Sequence, residues 1–434
     1  MRILSKEVSQ HTGKTIQIDG WLHKKRLLGG LTFINVRDRS GLTQVVIKDK
    51  YEVEKLRGLQ IGTVLSVSGE VVQEERAPGG VELHDAKIEI IVPVTDELPI
   101  EIDKPLSHRP DNLDTLFDHR AIGLRNMQEA KIFKIRSELL RYIREYLYKN
   151  DFVEINTPKL VAGAAEGGAE VFKLDYFGKE ATLAQSPQLY KQIMVGVFER
   201  VFEIAPAYRA ELSATTRHVS EVTMLDVEIG FISGHSEVLD LLQDLVYSVL
   251  TRVYDEYAEQ LKSLNAPELV LKPKFPSYSM KQVHEMYQKA TDKDMTNEID
   301  LTPEEEKWIC EYAKKHDGCE AVFATGLPES KMKFYHMKGD NGTARSADLL
   351  FRGIEISTVP QREHRHENLI EQMKAAHVDP NDPGFAPYVT AFKYGLPAHG
   401  GFGFGIDRLT EKTIGLANVK EAILFPRDIN RLSP

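Results

Sequence analysis

The stretch QSPQLYKQIMVGVFERVFEIAPAYRAELSATTRHVSEVTMLDVE, Gln185 to Glu228, decides how the chain is read. Two apolar runs, Val201 to Ala207 and Val222 to Ile229, flank a polar loop with Arg209, Glu211, Arg217, His218 and Glu221. Such runs predict two strands, and the charged residues between them predict a long hairpin loop. Arg209 at the end of the first run, an acid two residues on and an Arg-His pair suit a polyphosphate ligand. Guanidinium binds phosphate oxygens bidentately, and the Glu211 carboxylate can accept from an adenine amino group. Taken alone, a charged hairpin tip also reads as a solvated face.

Near the C-terminus, HGGFGFGIDRL (His399 to Leu409) adds a second signal. Its glycines let the backbone approach a ligand closely, and Arg408 follows them. A glycine-rich turn before an ordinary helix is the plainer reading of that stretch. A strand-hairpin-strand with Arg209 together with a glycine-rich strand-helix junction with Arg408 is nevertheless a rare pair.

With these motifs together, the chain resembles the class II aminoacyl-tRNA synthetases, and within them the aspartyl and asparaginyl branch. FVEINTP (Phe152 to Pro158) is similar to motif 1, Tyr208 to Glu211 with Thr215 to His218 to motif 2, and GFGFGIDRL to motif 3. QSPQLYKQ, AEGG (Ala165 to Gly168), GIEIS with QREHR (Gly353 to Arg365) and LFPRD (Leu424 to Asp428) resemble the aspartyl enzymes in particular. The resemblance covers essentially the whole chain.

It implies an α+β fold in which residues 128–434 form a catalytic domain, an antiparallel sheet flanked by helices, with a helical insertion around 263–337. The reaction implied has two steps. The carboxylate of L-aspartate attacks the α-phosphate of ATP, the nucleotide substrate, and a tRNA ribose hydroxyl then takes the aminoacyl group. Catalysis is by orientation and electrostatics, so arginines and Mg2+ are needed rather than a protein nucleophile.

By match to the motifs, Arg209 and Arg408 are the catalytic residues, Arg209 bridging the α-phosphate and the amino-acid carboxylate. The ATP set further comprises Ala210, Glu211, Arg217, His218, Val219, Glu355, Gly405, Ile406 and Asp407. Glu355, with Thr358 as a second ligand, is the candidate for magnesium, a hard cation that takes oxygen donors. Lys191 and Arg362 are expected to make the end of the aspartate pocket cationic, with Glu166, Ser186, Gln188 and Thr358 nearby; asparagine would leave those cations underpaired.

Two departures bear on efficiency and on substrate. Leu212 and Ser213 replace an acid and a His of the usual motif 2, and Val359-Pro360 replaces two glycines. Other activities also remain open: an asparaginyl enzyme, a paralogue passing an acyl-adenylate to a non-tRNA acceptor in an amide-forming step, or an inactive RNA-binding protein. Retention of Arg209, Glu355 and Arg408 argues against the last.

Before the catalytic segment, residues 1–95 alternate apolar and polar over five short runs: Thr15 to Trp21, Leu31 to Arg37, Leu42 to Lys48, Val64 to Val72 and Val81 to Val92. That pattern, with turn signals at Gly29-Gly30, Ser40-Gly41 and Pro78-Gly79-Gly80, predicts a small closed barrel of the OB-fold type. Lys24, Lys25 and Arg26, placed on its first turn, supply cations, while Phe33 can stack on a base and Gln44 can read a base edge; read by themselves, Phe33 equally suits the core and the Lys-Arg run a solvated face. The resemblance implies that this barrel holds the anticodon. His23 and Pro78 stand where enzymes confined to aspartate tRNA tend to carry Trp and Lys, and so resemble the relaxed branch that charges both aspartate and asparagine tRNAs.

Residues 96–127 are rich in Pro and Asp and read as a linker or hinge. Helical spacing over Gln128 to Asn150 and Ser236 to Tyr257 predicts two amphipathic helices. In the family the first of these and motif 1 form a homodimer interface. The chain has 434 residues, 42% of them hydrophobic, enough for two or three domains with sizeable cores. A net charge of -10 argues against nucleic-acid binding by the whole surface and confines any RNA contact to patches. The first residues carry no signal or transit composition, which leads to an expected cytoplasmic location. Cys310 and Cys319 lie apart from any CxxC or His cluster and are expected to be packing residues.

Overall fold

The computed structural model describes residues 2–28, 31–106, 112–162, 170–212, 215–295 and 297–433. Contacts along the chain divide it into Met1–Ala130 and Lys131–Pro434.

In the first unit the five alternating runs become β1 (Thr15–Leu28), β2 (Leu31–Arg37), β3 (Leu42–Ile47), β4 (Val64–Gln73) and β5 (Val81–Val92), closed in the order β1-β2-β3-β5-β4. The period of two sets which side chains go inward. Thr32, Ile34 and Val36 are buried, while Leu31, Phe33, Asn35 and Arg37 face outward and are partly covered. Ile18, Leu22, Ile34, Val45, Leu65 and Leu83 share one core. Phe33 is therefore an outer-face aromatic and not a core residue.

The barrel corrects one expectation. Lys24, Lys25 and Arg26 do not lie on a turn but continue β1, opposite Asn35, Ile34 and Phe33 of β2. A register shift between Leu22 and Lys24 bends the strand at His23 and lets it run on. Residues 96–127 fall in this first unit, with Ile100 and Ile102 buried and Arg120 buried 3.7 Å from Glu129.

The second unit is built on an eight-stranded sheet. Its strands are β6 (Val153–Glu154), β10 (Arg200–Tyr208), β11 (Glu221–Gly230), β12 (Ser277–Ser279), β13 (Ala321–Thr325), β14 (Ser346–Phe351), β15 (Ile354–Pro360) and β16 (His399–Gly405). A small sheet holds β7 (Leu160–Val161), β8 (Lys173–Tyr176) and β9 (Lys179–Leu183). The large sheet runs β12-β13-β14-β15-β16-β11-β10-β6. Its six central strands are antiparallel, but β6 pairs parallel with β10 and β12 parallel with β13, so the sheet is mixed at both edges. Both edge strands enter or leave through connections much longer than a hairpin, which is what a parallel pairing requires.

The two amphipathic helices form as Met127–Lys149 and His235–Glu256. Their apolar stripes, including Ile135, Leu139, Leu242 and Leu245, join Phe202, Val227, Phe402 and Ile356 of the sheet in one buried core. Each such aliphatic side chain contributes roughly 1.5–3 kcal/mol by leaving water. The expected insertion contains two helices, Met280–Thr291 and Pro303–His316, but also β12 and β13, which extend the sheet. The second of these helices is specified locally. Thr302 caps it in a capping box with Glu305, Pro303 opens it, acids fill its first turn, and Lys314, Lys315 and His316 fill its last.

Candidate active site

The predicted hairpin is β10–β11, paired in register from Arg200↔Ile229 to Tyr208↔Glu221. Its loop is held by backbone bonds on both sides: Arg209 N donates to Ser220 O at 2.9 Å, Ser220 N to Arg427 O at 2.8 Å, and Val419 N to Thr216 O at 3.1 Å. Next to β11 lies the glycine strand β16. There a side chain at Gly401 would collide with Val227 O and with the Glu228 carboxylate. Glycine is thus the residue that lets Glu228 lie flat against β16.

These elements enclose a cavity of about 540 Å³. Its wall contains Arg209, Glu211, Arg217, His218 and Arg408, together with Ser186, Gln188 and Arg362. Val219, Glu355, Thr358, Gly405 and Asp407 also line it. Ala210, Lys191 and Ile406 do not: Ile406 is wholly buried in the hydrophobic core, and Ala210 donates its backbone N–H to Glu170 O at 3.1 Å. Glu166 and Ser213 lie outside the described residues. His23, Lys24, Phe33, Gln44 and Pro78 belong to the barrel unit.

Within the wall, Arg209 lies 3.7 Å from Glu211, and Glu211 lies 3.7 Å from the His218 imidazole. Arg217 is held away from the loop, donating to Glu306 Oε2 at 2.9 Å and to Gly353 O at 3.2 Å. Glu306 comes from the insertion, within which the sequence assigned no site residue; Asp300, Glu306, Lys331 and Tyr335 of that segment line the cavity. Arg408 donates to Glu355 O at 2.8 Å, and Thr358 Oγ1 donates to Glu355 Oε1 at 2.9 Å.

An acid that the sequence reading missed completes this corner. Asp348 on β14 stands opposite Thr358 on β15, and its carboxyl is pushed well above the usual range by burial and by the charge of Glu355. Burial and Glu355 also raise Glu306, against the pull of Arg217. Carboxylates crowded this way want a cation among them. Asp348, Glu355 and the Thr358 hydroxyl form a hard-oxygen set that fits a divalent ion of the magnesium kind.

The surroundings of Arg362, which lines the cavity, and of Lys191, buried outside its lining, differ from the expected cationic pocket. Lys191 is 1% exposed in its side chain and lies 2.9 Å from Asp226 and 3.6 Å from Glu228, also donating to Phe402 O at 3.0 Å. Arg362 forms a paired bond to Glu228, at 2.9 and 3.2 Å. Two cations face two anions, so the cluster is charge-balanced. Burial alone would raise Glu228, but Arg362 and Lys191 hold its carboxyl below the ordinary value. Asp226 and Glu228 stand two apart in an apolar run, hence on one face of β11, and that spacing was the signal by which they could have been found.

The Val359-Pro360 departure is accommodated without strain on the ladder. Val359 is fully buried, and Pro360 falls where β15–β16 pairing lapses between Thr358↔Gly403 and Gln361↔Gly400, so the missing N–H costs no sheet bond there. Leu212 is 83% exposed. On the barrel, Gln44 Nε2 donates to Glu82 Oε2 at 2.7 Å, which leaves the amide oxygen as its free end. His23 is buried and not an exposed barrel residue; burial and Arg37 lower its pKa to about 4. Cys310 and Cys319 are free and buried.

Two family descriptions match this chain: an OB-fold nucleic acid binding domain over residues 16–91, and tRNA synthetases class II (D, K and N) over residues 112–429. The chain belongs to that class II synthetase family. Its sequence is 41% identical over 439 residues, 100% of both chains, to the Aspartate--tRNA(Asp/Asn) ligase of Thermus thermophilus. It is 40% identical over 442 residues, 99% of both, to the Aspartate--tRNA(Asp) ligase of Pyrococcus horikoshii. Among solved structures, asparaginyl-tRNA synthetase from Pyrococcus horikoshii complexed with asparaginyl-adenylate has a TM-score of 0.91 at 29% identity, with 100% of both chains covered.

Proposed function

We propose that the protein ligates L-aspartate to tRNA through an aspartyl-adenylate at the expense of ATP, and that it accepts both aspartate and asparagine tRNAs. The observation that carries this reading is the convergence of Arg209, Glu211, His218 and Arg408 on one cavity that Arg362 also lines. Aspartate--tRNA ligases are among the relatives similar to this chain over their whole length. Asparaginyl chemistry is disfavoured by Lys191, a lysine unlike the asparaginyl enzymes.

In this reading Arg209 neutralises the α-phosphate and orients the attacking carboxylate, Glu211 accepts from the adenine amino group, and Arg408 clamps the nucleotide from the other side. His218 and Arg217 take the outer phosphates, Arg217 exchanging its bond to Glu306 for one to ATP. Asp348, Glu355 and Thr358 would hold Mg2+, which would offset phosphate charge there. Because Asp226 and Glu228 already pair with Lys191 and Arg362, selection of aspartate over asparagine rests on how the four charges are placed and not on an excess of positive charge.

A homodimer through β6 is part of the proposal: β6 is a sheet edge with Val153 38% exposed, although Phe152 before it packs into its own core. Among the described residues no helix is long and apolar enough to cross a membrane, in keeping with the cytoplasmic location proposed.

The test is amino-acid-dependent pyrophosphate exchange. Aspartate is expected to drive it and asparagine is not, and Arg209→Ala or Arg408→Ala should abolish it while leaving far-ultraviolet circular dichroism unchanged. Near-normal exchange in both variants would overturn the reading.

A further inference from the structure

Arg136 stands on the helix Met127–Lys149 and belongs to none of the motifs quoted above. Its guanidinium joins two other elements. One terminal nitrogen donates to Asp407 Oδ1 at 2.8 Å, and the other to Thr223 Oγ1 at 2.8 Å. Thr223 closes the ring, because its backbone N–H donates to Asp407 Oδ2 at 2.7 Å. Asp407 is 3% exposed, and both of its oxygens are engaged by this ring.

The position of the ring matters more than its strength. Thr223 lies on β11 two residues after the hairpin loop ends at Glu221, and Asp407 lies in the first turn of the helix Ile406–Ile414, directly before Arg408. One guanidinium therefore ties a helix outside the cavity to the root of the hairpin loop and to the residue beside Arg408. Bidentate donation fixes direction as well as distance, which a lysine at the same place could not do.

We propose that Arg136 is a positioning residue for the nucleotide: through Asp407 and Thr223 it sets the start of the Arg408 helix relative to the hairpin loop. The inference rests on the reading that Arg408 holds ATP.

Four influences act on the Asp407 carboxyl. Burial and the nearby Glu221 charge raise it, while Arg136 and the Thr223 N–H lower it. Without Arg136 the raising influences gain, and the carboxyl needs a higher pH to ionise and keep its bond to Thr223.

The experiment compares Arg136→Ala, Arg136→Lys and Thr223→Val in the full-length protein by pyrophosphate exchange as a function of pH. For Arg136→Ala the expected result is a KM for ATP raised at least fivefold, with KM for aspartate within twofold of the parent. The acid limb of kcat/KM for ATP should move up by about one pH unit. Arg136→Lys should restore the limb, by returning a cation, but only part of the KM; Thr223→Val should raise KM for ATP with less movement of the limb. An unchanged KM for ATP, or equal rises in both KM values with an unmoved limb, would overturn the proposal. Should Arg136→Ala not fold, the other two variants decide it by the same criteria. Full activity in Arg408→Ala would instead remove the reading on which it rests, whereas an inactive Arg408→Ala beside a normal Arg136 series removes this inference alone.

Discussion

His399 begins the glycine strand and is fully buried, with Nδ1 2.8 Å from Pro397 O and Nε2 3.0 Å from the Gln192 side-chain nitrogen. A carbonyl can only accept, so the ring proton sits on Nδ1 and Nε2 accepts from Gln192. Gln192 Oε1 in turn accepts from Gln188 at 2.9 Å and from Tyr388 at 3.1 Å, which carries the network to the cavity. Protonating His399 would set two donors against each other. Burial, opposed by Glu228, lowers its pKa from 6.5 to about 4. The folded state thus refuses a proton that the unfolded chain accepts below pH 6.5. The stability this represents, on the order of 3 kcal/mol, is complete above that pH and is lost as pH falls toward 4. Urea unfolding of the parent should weaken between pH 7 and pH 5, and His399→Gln should show a shallower loss; identical slopes would refute the account.

At the scale of elements, β16 and β11 do one job together. β11 presents Leu225 and Val227 to the core and Asp226 to the cavity, with Glu228 wholly buried, and β16 can lie beside Glu228 because Gly401 has no side chain. Gly401→Ala forces the Glu228 carboxylate and the β11 backbone to give way. A clash with backbone in a packed sheet costs about 1–3 kcal/mol, and it also pulls Glu228 from Arg362. The variant should lose that stability and raise KM for aspartate more than KM for ATP. Equal KM changes would mean that Glu228 does not support the amino-acid end.

At the scale of the whole molecule, the proposed reading assigns amino-acid activation and tRNA choice to different units, Lys131–Pro434 and Met1–Ala130. Relatives of nearly equal similarity are named for one tRNA or for two, so overall identity does not separate the readings. In the proposed reading the barrel permits the wider choice. His23 is buried at the bend of β1, where it can shape the wall but offers no edge to a base, and Pro78 opens the turn Pro78–Gly80, where Gly79 and Gly80 both have positive φ. Aspartate and asparagine anticodons differ only at the third anticodon base, so a relaxed wall there admits both. Charging purified transcripts with aspartate should give comparable kcat/KM for the two tRNAs. A preference for aspartate tRNA above about a hundredfold, roughly 2.7 kcal/mol, would refute this.

What was legible in the sequence is what neighbours along the chain encode. A period of two marked the five strands of the barrel, the apolar stripes specified both long helices, and the motifs named Arg209, Glu355 and Arg408, which line one cavity. The chain also contained signals that were passed over, such as the paired acids Asp226 and Glu228. Other features were decided only by tertiary structure. Asp348 meets Glu355 through the register of β14 on β15; Arg362 finds Glu228 across 134 residues, and Arg136 finds Asp407 across 271. Periodicity is written within one element, because it follows from the backbone's own repeat. Charge compensation is not, because it depends on which elements pack and in what register, and one residue of slip in its strand would turn Asp348 or Glu228 to the opposite face.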